Sequence, residues 1–259
     1  MRKIGINIVT IPGVNDADFL RMASELGFGA IFTGMREVAQ QLAYAAEMAR
    51  CGLEYETIHA PFSHINDIWL EGDDGEAMLK ELTGCVDRCA QVGARIAVVH
   101  LSSGNNPPSI TDIGRARFSR LVEHAAKNNV RIAFENQRKL ANLAWAMETF
   151  GNEAGFCWDC GHESCFTPGR EYMPMFGERL ICTHIHDNEG VYNQDDHLLP
   201  FDGKIDYSRF AEHIRKANYT GSLMLEVAYN RPCYAEMSVE TYLQRAADAA
   251  KKLVQMVDE

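Results

Sequence analysis

Short runs rich in β-branched and other apolar residues alternate with longer amphipathic runs along the whole chain. This alternation indicates repeated strand–helix units on a parallel sheet. We predict eight strands, at residues 3–9, 30–33, 55–60, 95–101, 131–136, 155–159, 181–186 and 222–227. We predict helices at residues 16–27, 37–52, 75–93, 110–129, 139–151, 206–218 and 239–257, with a less regular helix near 170–177.

Eight strand–helix units close naturally into a barrel, and such barrels commonly occupy about 250 residues as one domain. The chain has 259 residues, 46% of them hydrophobic, which allows a large core. The sequence therefore predicts an α/β fold of the (β/α)8 TIM-barrel class, with one domain over residues 1–259. Periodicity alone leaves an open, doubly wound sheet as the alternative.

The charge balance disfavours nucleic acid as a partner. The chain carries 36 acidic and 25 basic side chains, a formal charge of −11, which repels a phosphate backbone. No apolar run approaches the ~20 residues of a membrane helix, and the start of the chain lacks a signal-peptide core. The eight cysteines are scattered through hydrophobic stretches, as expected of reduced thiols. We therefore expect a cytoplasmic protein with no membrane or nucleic-acid partner.

Polar residues gather where the predicted strands end. In a (β/α)8 barrel these ends form the face that carries the active site. The residues at or just beyond six successive strand ends are His59, His100, Glu135, Asp159, His162, His184 and Glu226, with Asp195 and His197 in the loop after the seventh strand. This clustering predicts a functional site at the carboxyl ends of the strands.

A single histidine at a strand end is more often structural than a ligand, but a buried carboxylate at the mouth of an apolar barrel needs a cation or hydrogen-bond donors. Glu135 and Glu226 are therefore the strongest individual signals. Strand order brings them together with Asp159 and His184, which predicts a divalent-metal site. His186 has the same strand parity as His184, so it is either an alternative ligand or, one residue pair further up the strand, a residue that lines the pocket. Mixed carboxylate and imidazole ligands suit Mn²⁺, Co²⁺, Zn²⁺ or Fe²⁺.

In their order along the chain, these residues resemble the xylose-isomerase-like barrel superfamily. It contains sugar isomerases and epimerases, inosose dehydratases and zinc-dependent apurinic endonucleases. The resemblance spans essentially the whole chain and includes the D-x-x-H pattern at 159–162 and the D-x-H pattern at 195–197. Phe201 and Asp202 stand where Gly-Glu is common in the family, so the shape of that loop is expected to differ.

The resemblance implies specific roles. Members of the ketose 3-epimerase type hold one metal through residues that match Glu135, Asp159, His184 and Glu226 here. It implies a metal-dependent isomerase or epimerase of a small sugar or polyol, in which Glu135 and Glu226 are catalytic and exchange a proton through a metal-stabilised enediolate. The remaining residues, expected to hold substrate or an additional metal, are His59, His100, His162, Asp195 and His197.

Three alternatives stay open at this point. An inosose-type dehydratase would use the same proton abstraction. A zinc-dependent apurinic endonuclease uses three zinc ions, and its ligand pattern can also be followed through all nine residues, although the charge of −11 counts against it. A catalytically silent barrel subunit would have no reason to keep two buried carboxylates. Sparse basic residues at the strand ends slightly favour a neutral sugar over a sugar phosphate, and the barrel helices are compatible with a homo-oligomer.

Overall fold

The computed structural model describes residues 2–259 and consists of eight parallel strands with helices between them. The strands are β1 (Ile4–Asn7), β2 (Ala30–Gly34), β3 (Glu54–His59), β4 (Ile96–His100), β5 (Arg131–Glu135), β6 (Ala154–Asp159), β7 (Leu180–His184) and β8 (Leu223–Leu225). The helices are α1 (Asp16–Glu25), α2 (Val38–Arg50), α3 (Asp73–Val92), α4 (Asp112–Lys127), α5 (Leu140–Phe150), α6 (Cys160–Phe166), α7 (Met173–Phe176), α8 (Tyr207–Lys216) and α9 (Val239–Asp258).

The strands follow the order β7-β6-β5-β4-β3-β2-β1-β8. Backbone bonds just beyond β7 bring the two ends of this sheet together: the Ile185 N–H donates to the Met224 carbonyl and the Glu226 N–H donates to the Ile185 carbonyl, each at 2.9 Å. The sheet therefore forms a nearly closed (β/α)8 barrel, which confirms the predicted fold class and excludes the open sheet. All eight predicted strands are present, most of them one to three residues shorter than predicted.

The sixth helical segment differs from its prediction near residues 170–177. Helix α6 begins directly after β6, because the Asp159 side chain accepts a hydrogen bond from the His162 N–H at 2.6 Å and caps the helix. The predicted region contains only the single-turn helix α7. At seven residues, α6 is too short to show a repeating apolar pattern in the sequence.

The interior of the barrel below the strand ends is apolar and tightly filled. One side holds Val98, Ala133, Cys157 and Cys182, and the other holds Ala30, Phe32 and Met224. A larger core lies between the strands and the surrounding helices. The polar side chains at the strand ends therefore lie above buried apolar residues. All eight cysteines are unpaired, and none of the helices in residues 2–259 is both long and apolar enough to cross a membrane.

Candidate metal centre

The four residues matched to the metal ligands of epimerases lie together at the mouth of the barrel. Glu135, Asp159 and His184 are the last residues of β5, β6 and β7, and Glu226 directly follows β8. Each offers one ligand atom, and these atoms lie within 4.8 Å of one another. Nδ1 of His184 is 2.6 Å from Oε1 of Glu135 and 3.2 Å from Oε2 of Glu226. The structure thus brings together the predicted set.

Strand pairing and one amide fix this arrangement. His100 pairs in register with Glu135, and Asp159 pairs with His184, so ligand-bearing ends are direct neighbours. The Asn136 side chain donates to the Asp159 carbonyl and accepts from the Asp159 N–H, both at 2.8 Å. This two-way clamp ties the end of β5 to the end of β6. Asn136 was within the predicted strand, but its supporting role follows only from the three-dimensional contact.

Two predicted histidines flank Glu135 on the side of β3 and β4. Nε2 of His59 lies 3.3 Å from Oε2 of Glu135, and Nε2 of His100 contacts the same oxygen. The two imidazole nitrogens are 3.2 Å apart. His59, Glu135 and His184 also form a group that could hold an ion. Both of the flanking histidines therefore belong to the site.

The remaining predicted residues form an outer group next to Asp159. Asp195 Oδ2 lies 3.3 Å from Nε2 of His162 and 3.2 Å from Nε2 of His197. His186 joins this group, with its Nε2 3.2 Å from Asp159 Oδ1 and its ring stacked 4.0 Å from that of His197. His186 is thus in the outer group, while His184 is in the inner one. The sequence had offered His186 either as a replacement for His184 or, one residue pair further up the strand, as a residue that lines the pocket.

Gln137 is a residue of the site that sequence reasoning missed. Its Nε2 lies 3.2 Å from Nε2 of His100 and 3.0 Å from Nδ1 of His162, so it connects the two sides of the centre. Its backbone carbonyl accepts a hydrogen bond from the Tyr172 hydroxyl at 2.9 Å. An amide just past a predicted strand carries no distinctive pattern; its position directly after Glu135-Asn136 was the only available signal.

Opposite charges at the centre compensate each other strongly. Burial alone would lower the pKa of His184, but the carboxylates of Glu226 and Glu135 outweigh burial and raise that pKa well above its usual value. Burial alone would raise the pKa of Glu135, whereas His184 and His100 hold it well below the usual range. Without a cation, protonated imidazole balances the buried carboxylates. A metal ion would take over that role as protons leave.

The outer group shows the same balance. Burial opposes the charged imidazole of His162, yet Asp159 and Asp195 raise its pKa to about 10. Burial also opposes the charged imidazole of His197, but a hydrogen bond to Asp195 and the charge of Glu226 raise the pKa of His197 to about 9. The Asp195 carboxyl, despite burial, has its pKa held far below normal by His162 and His197. These histidines are therefore charged near neutral pH when no ion is bound.

Several buried polar atoms at the centre have no hydrogen-bond partner within residues 2–259. They include Oδ2 of Asp159, which is fully buried, Nε2 of His184 and Nδ1 of His186. An unpaired carboxylate oxygen in such a position is costly unless a cation compensates it. The donor set of carboxylates and imidazoles fits Mn²⁺, Co²⁺ or Zn²⁺ without selecting one.

A cavity of about 420 Å³ opens beside this centre, above the ends of β1, β2 and β3. Its lining includes Glu226 and His59 from the centre, Phe62 from the loop after β3, and Arg36 from the loop after β2. Phe62 is 46% exposed, and its ring stacks 4.5 Å from that of His100. The volume is within the range of small-molecule sites, roughly 300–1,000 Å³. The cavity therefore gives a small ligand direct access to one of the two glutamates.

Comparison with known proteins gives a consistent family. A family model described as a xylose isomerase-like TIM barrel matches residues 20–255. An uncharacterized protein of Sinorhizobium fredii is 33% identical over 187 residues, which cover 66% of this chain and 58% of that protein. An uncharacterized protein of Methanocaldococcus jannaschii is 22% identical over 186 residues, which cover 65% of this chain and 63% of that protein. The chain thus spans about three fifths of these curated relatives.

Solved structures share the fold at low sequence identity. D-psicose 3-epimerase from Clostridium cellulolyticum, solved with D-tagatose, aligns with a TM-score of 0.79 and 11% identity over 99% of both chains. The 3-keto-D-glucoside 4-epimerase from E. coli aligns with a TM-score of 0.74 and 18% identity, covering 98% of this chain and 100% of the other. At these identities the likeness establishes the barrel and leaves chemistry to the residues of the site.

Proposed function

The chain belongs to the xylose isomerase-like TIM barrel family, and from this premise we propose that it is a divalent-metal-dependent isomerase or epimerase of a small sugar or polyol. One observation carries the proposal: Glu135 and Glu226, from different strands, meet around His184, and Glu226 lines a cavity sized for a small ligand. Two carboxylates at one reacting carbon are what a proton transfer between two faces, or between neighbouring carbons, requires.

The two glutamates differ in access. The Glu226 side chain is 19% exposed and lines the cavity, whereas the Glu135 side chain is 1% exposed beneath three imidazoles. We assign Glu226 to the proton transfer that faces the cavity, and Glu135 to the second proton transfer of the reaction. His59 also lines the cavity and is placed to hold a substrate hydroxyl.

Glu135, Asp159, His184 and Glu226 would hold the metal ion. When bound, a divalent cation supplies Lewis-acid chemistry that stabilises negative charge on adjacent substrate oxygens as the carbon-bound proton is removed. The residues of this chain would bind and orient the sugar, exclude water and move the proton. The epimerases with the same fold act on sugars, in agreement with this substrate class.

A second candidate, cleavage of abasic DNA, is supported by one observation. The outer residues His162, Asp195 and His197 adjoin the inner centre, so the nine residues matched to a three-zinc endonuclease are all in one site. The net charge of −11 opposes it, because duplex binding relies on Lys and Arg contacts to phosphates. Inosose dehydration remains the nearest variant of the main proposal, since it begins with the same proton abstraction.

Elemental analysis and turnover assays test the proposal together. The purified protein is stripped of metal, reloaded separately with Mn²⁺, Co²⁺ and Zn²⁺, and assayed with ketoses, aldoses, inososes and an abasic DNA duplex. We expect about one ion per chain at full activity and sugar turnover that disappears on chelation. Three tightly bound zinc ions with cleavage of abasic DNA would establish the endonuclease instead, and inosose turnover alone would establish the dehydratase.

A further inference from the structure

We propose that the substrate carries an anionic group, a phosphate or a carboxylate, that binds to Arg36 in the cavity beside the metal centre. The inference rests on the proposed function for the placement of the sugar, and it names a substrate class narrower than that function requires. It also differs from the sequence-based expectation of a neutral sugar. Three observations support it. Arg36 lines the cavity, its guanidinium has no carboxylate partner, and its backbone is held by two buried side chains.

Arg36 lies in the same cavity as the proposed reacting groups. Among the residues that line this cavity, Arg36 is the only lysine or arginine. Glu226 and His59 line the same cavity. The guanidinium folds back toward the barrel, since a Cβ added to Gly34 at the end of β2 would lie 3.4 Å from Nη1 of Arg36. A ligand that reaches Glu226 through this cavity therefore passes a positive charge.

The charge of Arg36 lacks a carboxylate partner. No Asp or Glu oxygen in residues 2–259 lies within 4.0 Å of its guanidinium, although the chain carries 36 acidic side chains. Arg36 does influence Tyr44, another cavity residue: burial and Asp16 raise the Tyr44 pKa, and Arg36 partly offsets that rise. A guanidinium that is not paired with a carboxylate is suited to bind a phosphate or carboxylate.

The backbone that presents Arg36 is held at both ends. Its N–H donates to Oε1 of Gln41 at 2.6 Å, and its carbonyl accepts from Nη1 of Arg88 at 2.9 Å. Gln41 is fully buried and Arg88 is 9% exposed, so both partners are fixed by packing. This fixation keeps the loop in one position, which lowers the ordering cost of binding.

Two other arginines near the barrel mouth, Arg138 and Arg231, are committed elsewhere. The Arg138 guanidinium lies over the Phe166 ring, 3.5 Å from its centroid, and its Nε donates to Asn193 at 2.9 Å. Nη2 of Arg231 contacts the Asp195 carbonyl at 3.5 Å. Neither lines the cavity that holds Glu226. Arg36 is therefore the cation best placed to select a charged substrate.

The test measures binding directly, so that it does not depend on turnover. Calorimetry with D-fructose, D-fructose 6-phosphate and D-galacturonate is carried out on wild type, Arg36→Gln and Arg36→Lys, in the metal-free and the Mn²⁺-loaded protein. We expect at least one anionic sugar to bind wild type about tenfold or more tightly than D-fructose, and Arg36→Gln to lose about 10- to 100-fold for that ligand only. Arg36→Lys should retain part of the affinity. Which anionic sugar binds better identifies phosphate or carboxylate.

Arg170→Gln is the matched control. Arg170 is an exposed arginine outside this cavity, and its replacement changes the net charge by the same amount. Equal losses in Arg36→Gln and Arg170→Gln, or equal affinity of wild type for neutral and anionic sugars, would overturn the inference. Arg36-dependent binding without turnover of any sugar would instead contradict the proposed function and leave the inference standing. If neutral sugars are turned over and Arg36→Gln leaves that turnover unchanged, the proposed function would stand and the inference would be overturned.

Discussion

Nδ1 of His184 lies 2.6 Å from Oε1 of Glu135, a contact between the last residues of two strands that are not neighbours in the barrel. The same nitrogen is 3.2 Å from Glu226. One imidazole thus holds apart two carboxylates that would otherwise repel each other in a buried site. A proton holds this arrangement together in the metal-free protein, and a cation can replace it.

Metal binding should therefore release protons. Because Glu226 and Glu135 outweigh burial and raise the His184 pKa well above normal, its imidazole is protonated at pH 7 and must lose a proton to become a ligand. Calorimetric titration with Mn²⁺ in buffers of different ionisation enthalpy should report about one proton or more released per ion. His184→Asn should release fewer. Binding with no proton release in wild type would contradict this account of the site.

The metal-free protein should lose stability as pH rises above neutral. Unfolded histidine titrates near ~6.5, and the folded pKa is about 10 for His162 and about 9 for His197. The folded state therefore binds these protons more tightly. Their stabilisation is complete below about pH 6.5 and is lost as pH rises through about 9 to 10. Thermal unfolding between pH 6 and 10 measures the slope.

His197→Asn should flatten that slope, because it removes one of the protons that the folded state binds more tightly. His64→Asn is the control, since the His64 side chain is 77% exposed and lies outside the centre. A melting temperature of the metal-free wild type that stays constant from pH 6.5 to 10 would show that these histidines are not held in the charged form.

Removing either central carboxylate should abolish most of the activity. Glu135→Gln and Glu226→Gln keep the side-chain shape but cannot accept a proton, so kcat should fall by about 10²–10⁴-fold for each. Glu123→Gln, an exposed position on α4, should be indistinguishable from wild type. Metal content of each variant separates lost proton transfer from lost metal. A variant that retains both its metal and full turnover would remove that glutamate from the mechanism.

Gly161→Ala should disturb the outer group without deleting any of its side chains. A Cβ at this position would lie 1.9 Å from Cε1 of His186, which is fully buried and cannot move into solvent. We expect a loss of about 1–3 kcal/mol in unfolding free energy by urea denaturation, together with weaker metal binding. Gly84→Ala on α3 is the matched control.

At Gly84 the added Cβ would make an ordinary contact at 3.7 Å with Met35. The substitution should stabilise the protein by up to about 1 kcal/mol, because alanine has a higher helix propensity than glycine. Equal stability changes in the two variants would show that the space next to His186 is less restricted than the structure indicates.

The sequence by itself determined the eight strand–helix units, with a barrel as the favoured closure, and the polar residues at the strand ends. Alternation with a period of two or of about 3.6 residues reports side-chain direction locally, so the strands could be found without their partners. Parallel strands place all their carboxyl ends on one face, so the positions of Glu135, Asp159, His184 and Glu226 along the chain predicted that they would meet. The helix α6 was missed because an Asp159 cap and seven residues leave no periodic signal.

Only the tertiary structure decided which residues at that face form the inner group and which form the outer group. It separated His184 from His186, gave Glu226 access to the cavity while burying Glu135, and added Gln137 between His100 and His162. It also placed Arg36 in the cavity and committed Arg138 to Phe166. These outcomes depend on distances between residues far apart in the chain. Barrel closure, strand register and loop packing set those distances, and local sequence patterns carry no record of them.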